Sequence, residues 1–147
     1  EKPADIVGPT LILPLLSDAR FEAFTKNVPS ADGSPASTGT IRVYWSLENT
    51  LHEINTIRMQ AVIPKGVEWI GEHARTAGDM SYTPGTRVVA WTLNKLPASV
   101  HRIDGSFDLK LIQAPKDNVV VRDARLSAQD SVVSGTITQT IPVLTAP

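Results

Sequence analysis

Eleven prolines and nine glycines are spread along the 147 residues so that few stretches exceed ten residues without one of them. Proline removes a helix hydrogen bond and clashes with the preceding turn, while glycine gives up more backbone entropy on ordering than any other residue. The spacing is hostile to long helices and predicts short strands joined by turns.

Alternation of apolar and polar residues places the strands. Ile41, Val43, Trp45 and Leu47 alternate with Arg42, Tyr44 and Ser46, which predicts a strand with one wall on a core. Ile57, Met59, Ala61 and Ile63 repeat the pattern against Arg58, Gln60 and Val62, ending at the turn Pro64-Lys65-Gly66. Val89, Trp91 and Leu93 form a third inward set, and Ile103, Phe107, Leu109 and Leu111 a fourth, expected on a central strand. Ala19, Phe21 and Ala23 share one face of an earlier segment. The run Leu11–Leu16, split by Pro14, is expected as an edge strand, since proline cannot donate to a ladder. Asn118–Val121, Arg125–Ala128 and Gly135–Ile141 supply two or three further strands. The stretches 27–39 and 71–79 are expected to be loops, the second leaving the sheet surface. About seven to nine strands at roughly 8–12-residue spacing predict an all-β, immunoglobulin-like two-sheet antiparallel β-sandwich, with a closed barrel as the second choice. Residues 1–9 are expected to be a linker or flexible N-terminal segment and residues 10–147 a single sandwich domain, with Leu144–Pro147 leading to a neighbour.

Several function classes are disfavoured by composition. Fourteen Lys and Arg against fifteen Asp and Glu give a net charge of -1, without the basic excess that binds a phosphate backbone, so no nucleic acid partner is expected. Without cysteine there can be no disulfide scaffold, thiolate metal site or cysteine nucleophile. The run at 11–16 falls far short of the ~20 apolar residues of a membrane-spanning helix, so no direct membrane insertion is expected. The sequence starts at Glu1 without a basic-then-apolar leader, as expected of a mature product or an excised fragment.

No catalytic motif stands out. G-x-S-x-G, G-x-x-x-x-G-K and H-E-x-x-H are absent, and no enzyme activity, cofactor or metal is expected. His52, His73 and His101 read as exposed loop residues, and Asp104 and Asp108 as a solvated strand face rather than a calcium loop. An intramolecular Lys–Asn or Lys–Asp crosslink would need an inward lysine, whereas Lys110 alternates outward and Lys95 and Lys116 fall in turns. Trp45 and Trp91 are expected in the core. Trp69 and Tyr82, flanking the 71–79 stretch, are the aromatics that could contact a ligand together.

The sequence Ile63-Pro64-Lys65-Gly66-Val67, followed by Trp91-Thr92-Leu93 and then Leu96-Pro97-Ala98 before a long alternating strand, resembles the bacterial cell-surface repeat domains of the DUF11 group. The resemblance spans roughly residues 39–112. It implies an immunoglobulin-like sandwich that serves, without catalysis, as a spacer, adhesion-type or protein-interaction module of a larger exported, extracellular or cell-surface protein, in contact with neighbouring domains of the same polypeptide and with another surface protein or glycan. The second expectation is a carbohydrate-binding module that targets an attached enzyme or cell to a glycan.

Overall fold

A computed structural model describes residues 16–28 and 39–147. Nine strands lie among them: β1 Arg20–Asn27, β2 Thr40–Glu48, β3 Ile54–Val62, β4 Val67–Arg75, β5 Asp79–Thr83, β6 Val88–Leu96, β7 Arg102–Leu111, β8 Val119–Asp130 and β9 Thr136–Thr145. They form two antiparallel sheets, β1-β2-β7-β4 and β5-β6-β3-β8-β9. The four-stranded order matches the A-B-E-D sheet of an immunoglobulin-like sandwich. The strip β3-β8-β9 matches C-F-G, with the β5–β6 hairpin added beside β3.

The alternating segments bury their predicted faces, with Ala19, Ala23 and Leu111 only half-buried. Ile41, Val43, Trp45 and Leu47 of β2 meet Ile57, Met59 and Ala61 of β3, Trp91 of β6 and Phe107 and Leu109 of β7 in one continuous core. Trp45 stands edge-on to Phe21 at 5.3 Å and to Phe107 at 5.1 Å, the arrangement favoured by ring quadrupoles. Trp91 directs its indole N–H to the Ala77 carbonyl at 2.8 Å. Each fully buried large apolar side chain contributes on the order of 1.5–3 kcal/mol.

The readings of 71–79 and of 144–145 are corrected. The stretch 71–79 is mostly not a loop: β4 continues to Arg75 and only residues 76–78 turn before β5. Two register shifts against β7, at Trp69/Gly71 and Glu72/Ala74, break the period of two, and an edge strand facing solvent tolerates polar residues on both sides. Of the two or three strands expected over 118–141 the structure has two, the segments at 118–121 and 125–128 joining in β8. Its interruption is a bulge at Asp123, where φ is +53° and three residues of β8 span the step that two residues of β3 take between Gln60 and Val62. Leu144 and Thr145 are not linker; they pair with Val121 and Val119 as the end of β9. The edge strand expected at 11–16 lies outside the described residues except for Leu16, which is not in a strand and is 42% exposed. The expected linker at 1–9 and most of the expected loop at 27–39 also lie outside them, although Asn27 itself ends β1.

Candidate functional site

Polar side chains concentrate where the chain runs into β1. Asp130, at the end of β8, accepts the Ser17 N–H at 2.7 Å on one carboxylate oxygen, and the same oxygen lies 2.8 Å from His52 Nδ1. Its other oxygen accepts the N–H groups of Val132 and Val133 at 2.7 and 2.8 Å. Burial pushes this carboxyl group up, but the Val133, His52, Val132 and Ser17 donors outweigh it and hold Asp130 well below the ordinary carboxylate range. The Ser17 hydroxyl bonds the Asn49 side-chain oxygen and accepts the His52 N–H at 3.0 Å, while Asn49, fully buried, donates to the His52 carbonyl at 2.7 Å. Next to it, Asp18 takes the Thr50 hydroxyl and the Thr50 and Leu51 N–H groups, the latter two at 2.7 and 2.9 Å. Chiefly through the Thr50 hydroxyl, these bonds lower the Asp18 carboxyl from 3.8 to about 2.

Serine, histidine and aspartate are thus gathered, but not as a catalytic triad. The Ser17 oxygen meets the backbone of His52 rather than its ring, and the ring's Nδ1 turns to Asp130. The cluster ties the strand-entering chain, the β2–β3 turn and the β8–β9 turn together. His52 is therefore half-buried and partnered, a correction to its reading as an exposed loop residue; His73 lies on β4 and His101 before β7, both exposed. Sequence alternation gave no sign of the cluster, because its members come from three turns far apart in the chain.

A second polar seam joins the sheets along β1 and β9. The Gln139 side chain accepts the Phe21 N–H at 2.9 Å and donates to the Phe21 carbonyl at 2.5 Å, replacing a strand partner. Further along, the Thr25 hydroxyl donates to the Thr145 carbonyl at 2.8 Å. Because Phe21 meets Gln139 and Thr25 meets Thr145, β1 and β9 run parallel. Beyond β9, the Ala146 N–H donates to the Asn118 carbonyl at 2.9 Å, and the Asn118 amide returns a bond to the Ala146 carbonyl at 3.1 Å.

Trp69 on β4 and Tyr82 on β5 do come together, on facing edges of the two sheets. Their rings stack 5.2 Å apart at 11°, and Trp69 also lies 5.2 Å from Phe107. Both are half-buried and border an open groove of ≈ 660 Å³ with Glu68, Arg87 and Gln113. Arg87 is committed to the protein: its guanidinium donates to the carbonyls of Ile63 and Pro64 at 2.7 and 2.8 Å and also to that of Val67. A second aromatic pair, Phe24 and Tyr44, stacks at 4.9 Å on the outer face of the four-stranded sheet with Lys26 over both rings. Both residues sit on the polar phase of their strands.

The remaining predicted positions are taken up by the protein itself. Asp108 holds Arg42 through two bonds of 2.7 and 3.1 Å, and Asp104 pairs with Arg102 at 2.9 Å. Lys95, Lys110 and Lys116 are exposed. Among the described residues no three His, Asp or Glu side chains converge as metal ligands would, and no helix is long and apolar enough to cross a membrane.

No protein-family model matches this sequence, and no curated protein matches it at a significant level. Similar solved structures do exist. The chain superposes on the full-length major pilin SpaD of Corynebacterium diphtheriae with a TM-score of 0.60 at 10% identity, over 85% of this chain and 34% of SpaD. The three N-terminal domains of the type V pili tip protein Mfa5 of Porphyromonas gingivalis give a TM-score of 0.51 at 10% identity, covering 67% of this chain and 22% of that one. The yeast GGA1 GAE domain gives 0.52 at 12% identity, covering 84% of this chain and 89% of that one. The chain thus spans about a third of SpaD and under a quarter of the Mfa5 fragment. At such identities the likeness establishes the fold, a β-sandwich of a kind found in domains of bacterial pilus proteins.

Proposed function

We propose that this chain is a non-catalytic structural or protein-interaction module, of spacer or adhesion type, in a larger bacterial cell-surface or secreted protein, allied to the DUF11 group. Residues 10–147 would form the domain, residues 1–9 would link it to a neighbour, and its first partners would be adjacent domains of the same polypeptide. One observation carries this reading. The chain runs into β1 at one end of the sandwich and leaves β9 at the other, along parallel neighbouring strands pinned at both ends by the Asp130 cluster and the Asn118–Ala146 pair. Tension between the two ends therefore shears β1 past β9 and loads the Phe21–Gln139 and Thr25–Thr145 bonds together, which is the geometry a spacer requires. The superposition on pilus-protein domains supports the same reading at the level of fold. The test is protease shaving of intact cells that produce the parent polypeptide: release of fragments containing this domain is expected, and complete protection until lysis would overturn the surface assignment.

The second reading, a carbohydrate-binding module, is supported by the groove bordered by Trp69 and Tyr82. Each ring already covers one face of the other and Trp69 also packs near Phe107, so at most one face of each ring is left for a sugar. Loss of glycan retention in Trp69→Ala with unchanged folding would favour this reading; unchanged retention, or none in the wild type, would sink it.

A further inference from the structure

The near-neutral net charge conceals an uneven distribution between the two sheets. On the four-stranded sheet the arginines are matched: Arg20 with Glu22 and Glu48, Arg42 with Asp108, Arg75 with Glu72, and Arg102 with Glu48 and Asp104. On the β3-β8 strip of the other sheet, Arg58, Arg122 and Arg125 are exposed and form no ion pair with any described carboxylate, nor do Lys65 and Lys116 at its end. In a regular strand Arg122 and Arg125, three apart, would point to opposite faces. The bulge at Asp123 resets the phase, so both lie on the outer face, level with Val62 and Gln60 of β3. With Arg58, level with Ser127, they form a basic stripe roughly 13 Å long at the usual strand rise.

The stripe opens into a cavity of ≈ 440 Å³ where Lys65, Lys116 and Arg122 surround Pro64, Val119 and Val143. That volume falls within the roughly 300–1,000 Å³ of small-ligand sites. Asp117 is the one described carboxylate on its wall. Three cations over an apolar floor suit a ligand that carries anionic groups on a compact ring with apolar faces. No aromatic side chain lines the cavity to stack a base, and the cations are too few for a duplex backbone.

We propose that the cavity and stripe bind an acidic sugar chain, its carboxylates or sulfates held by Lys65, Lys116 and Arg122 and the continuing chain by Arg125 and Arg58. This site is separate from the Trp69–Tyr82 groove and does not depend on the domain acting as a spacer.

Binding of oligogalacturonate, sulfated dextran and neutral dextran of matched length to the whole chain, followed by titration calorimetry at low salt, tests it. One or both acidic chains should bind and the neutral one should not, and the comparison between them separates carboxylate from sulfate. Binding should weaken strongly as ionic strength rises past about 0.1 M, where the Debye length has fallen to ~10 Å. The triple variant Lys65→Gln, Lys116→Gln, Arg122→Gln should bind about tenfold or more weakly, three exposed charge contacts each being worth a factor of about two to three. Since these side chains are exposed, its thermal melt should match the wild type. The control variant Lys26→Gln, Lys110→Gln, on the other sheet, should keep full affinity. The proposal is overturned if neither acidic chain binds at low salt, if the triple variant binds as well as the wild type, or if Trp69→Ala, shown by its thermal melt to be folded at the assay temperature, abolishes binding instead. Single-stranded DNA of equal charge binding more tightly than the sugars would likewise overturn it, assigning the site to nucleic acid.

Discussion

Replacing Asp130 with asparagine is the most incisive perturbation of this fold, because it keeps the shape of the side chain and changes its hydrogen-bonding character. The carboxylate is fully shielded and accepts from four groups: Ser17, Val132 and Val133 through their N–H groups, and His52 through its ring. An amide offers one accepting oxygen and turns an NH2 toward the others, so one pair of donors loses its acceptor and meets another donor. A charged hydrogen bond contributes about 1.5–3 kcal/mol, and breaking a buried charged arrangement costs about 3–5 kcal/mol. Because these bonds share one carboxylate and are not additive, the expected loss is about 3–4 kcal/mol. For a domain of this size that lowers Tm by about 10 °C, read by calorimetry alongside urea unfolding. An unchanged urea m-value with a lowered midpoint would place the loss in the native state. A Tm within about 2 °C of the wild type would refute the reasoning, since four bonds to a buried carboxylate cannot be lost at so small a cost.

Other perturbations probe other parts of the structure. Asp18 stabilises the fold fully above 3.8, and that contribution fades as pH falls toward about 2; the Tm difference between wild type and Asp18→Asn should therefore shrink between pH of about 5 and 2. Gly78→Ala should cost upwards of about 2 kcal/mol by urea unfolding, because its φ is +78° and a Cβ there would sit 2.5 Å from the Thr92 carbonyl oxygen. Gln139→Ala should cost about 1–3 kcal/mol and raise hydrogen exchange at the Phe21 amide, which loses its acceptor. Trp69→Ala should cost about 3–5 kcal/mol if its ring plugs the edge against Phe107 and Tyr82; a loss below about 1 kcal/mol would show the ring to be a surface feature.

The sequence made the core legible and left most of the polar architecture hidden, for a physical reason. Apolar alternation is a local signal, and it placed Trp45, Trp91, Met59 and Phe107 on their buried faces. It failed wherever backbone geometry departs from a period of two. The shifts in β4 made a strand look like a loop, and the bulge at Asp123 left the number of strands over 118–141 open and hid the shared face of Arg122 and Arg125. The Asp130 cluster was beyond local reading altogether: Ser17 and Asp130 are separated by 113 residues and joined only by the closing of the sandwich. A single faint cue existed in the short polar residues at Asn49 and Thr50, which commonly satisfy backbone groups in turns. Trp69 and Tyr82 were paired from their places flanking one stretch, and the two edge strands do bring them together.

In the proposed spacer role the domain resists extension through its ends because the parallel strands β1 and β9 are loaded in shear. Single-molecule pulling tests it most directly, with handles before Ser17 and after Pro147 in one experiment and, in another, before Ser17 and at Val132, an exposed residue near the same end. The end-to-end pull should require the higher unfolding force, lowered in that geometry by Gln139→Ala and by Asp130→Asn. Equal forces in the two directions, or an end-to-end force that neither substitution changes, would contradict it.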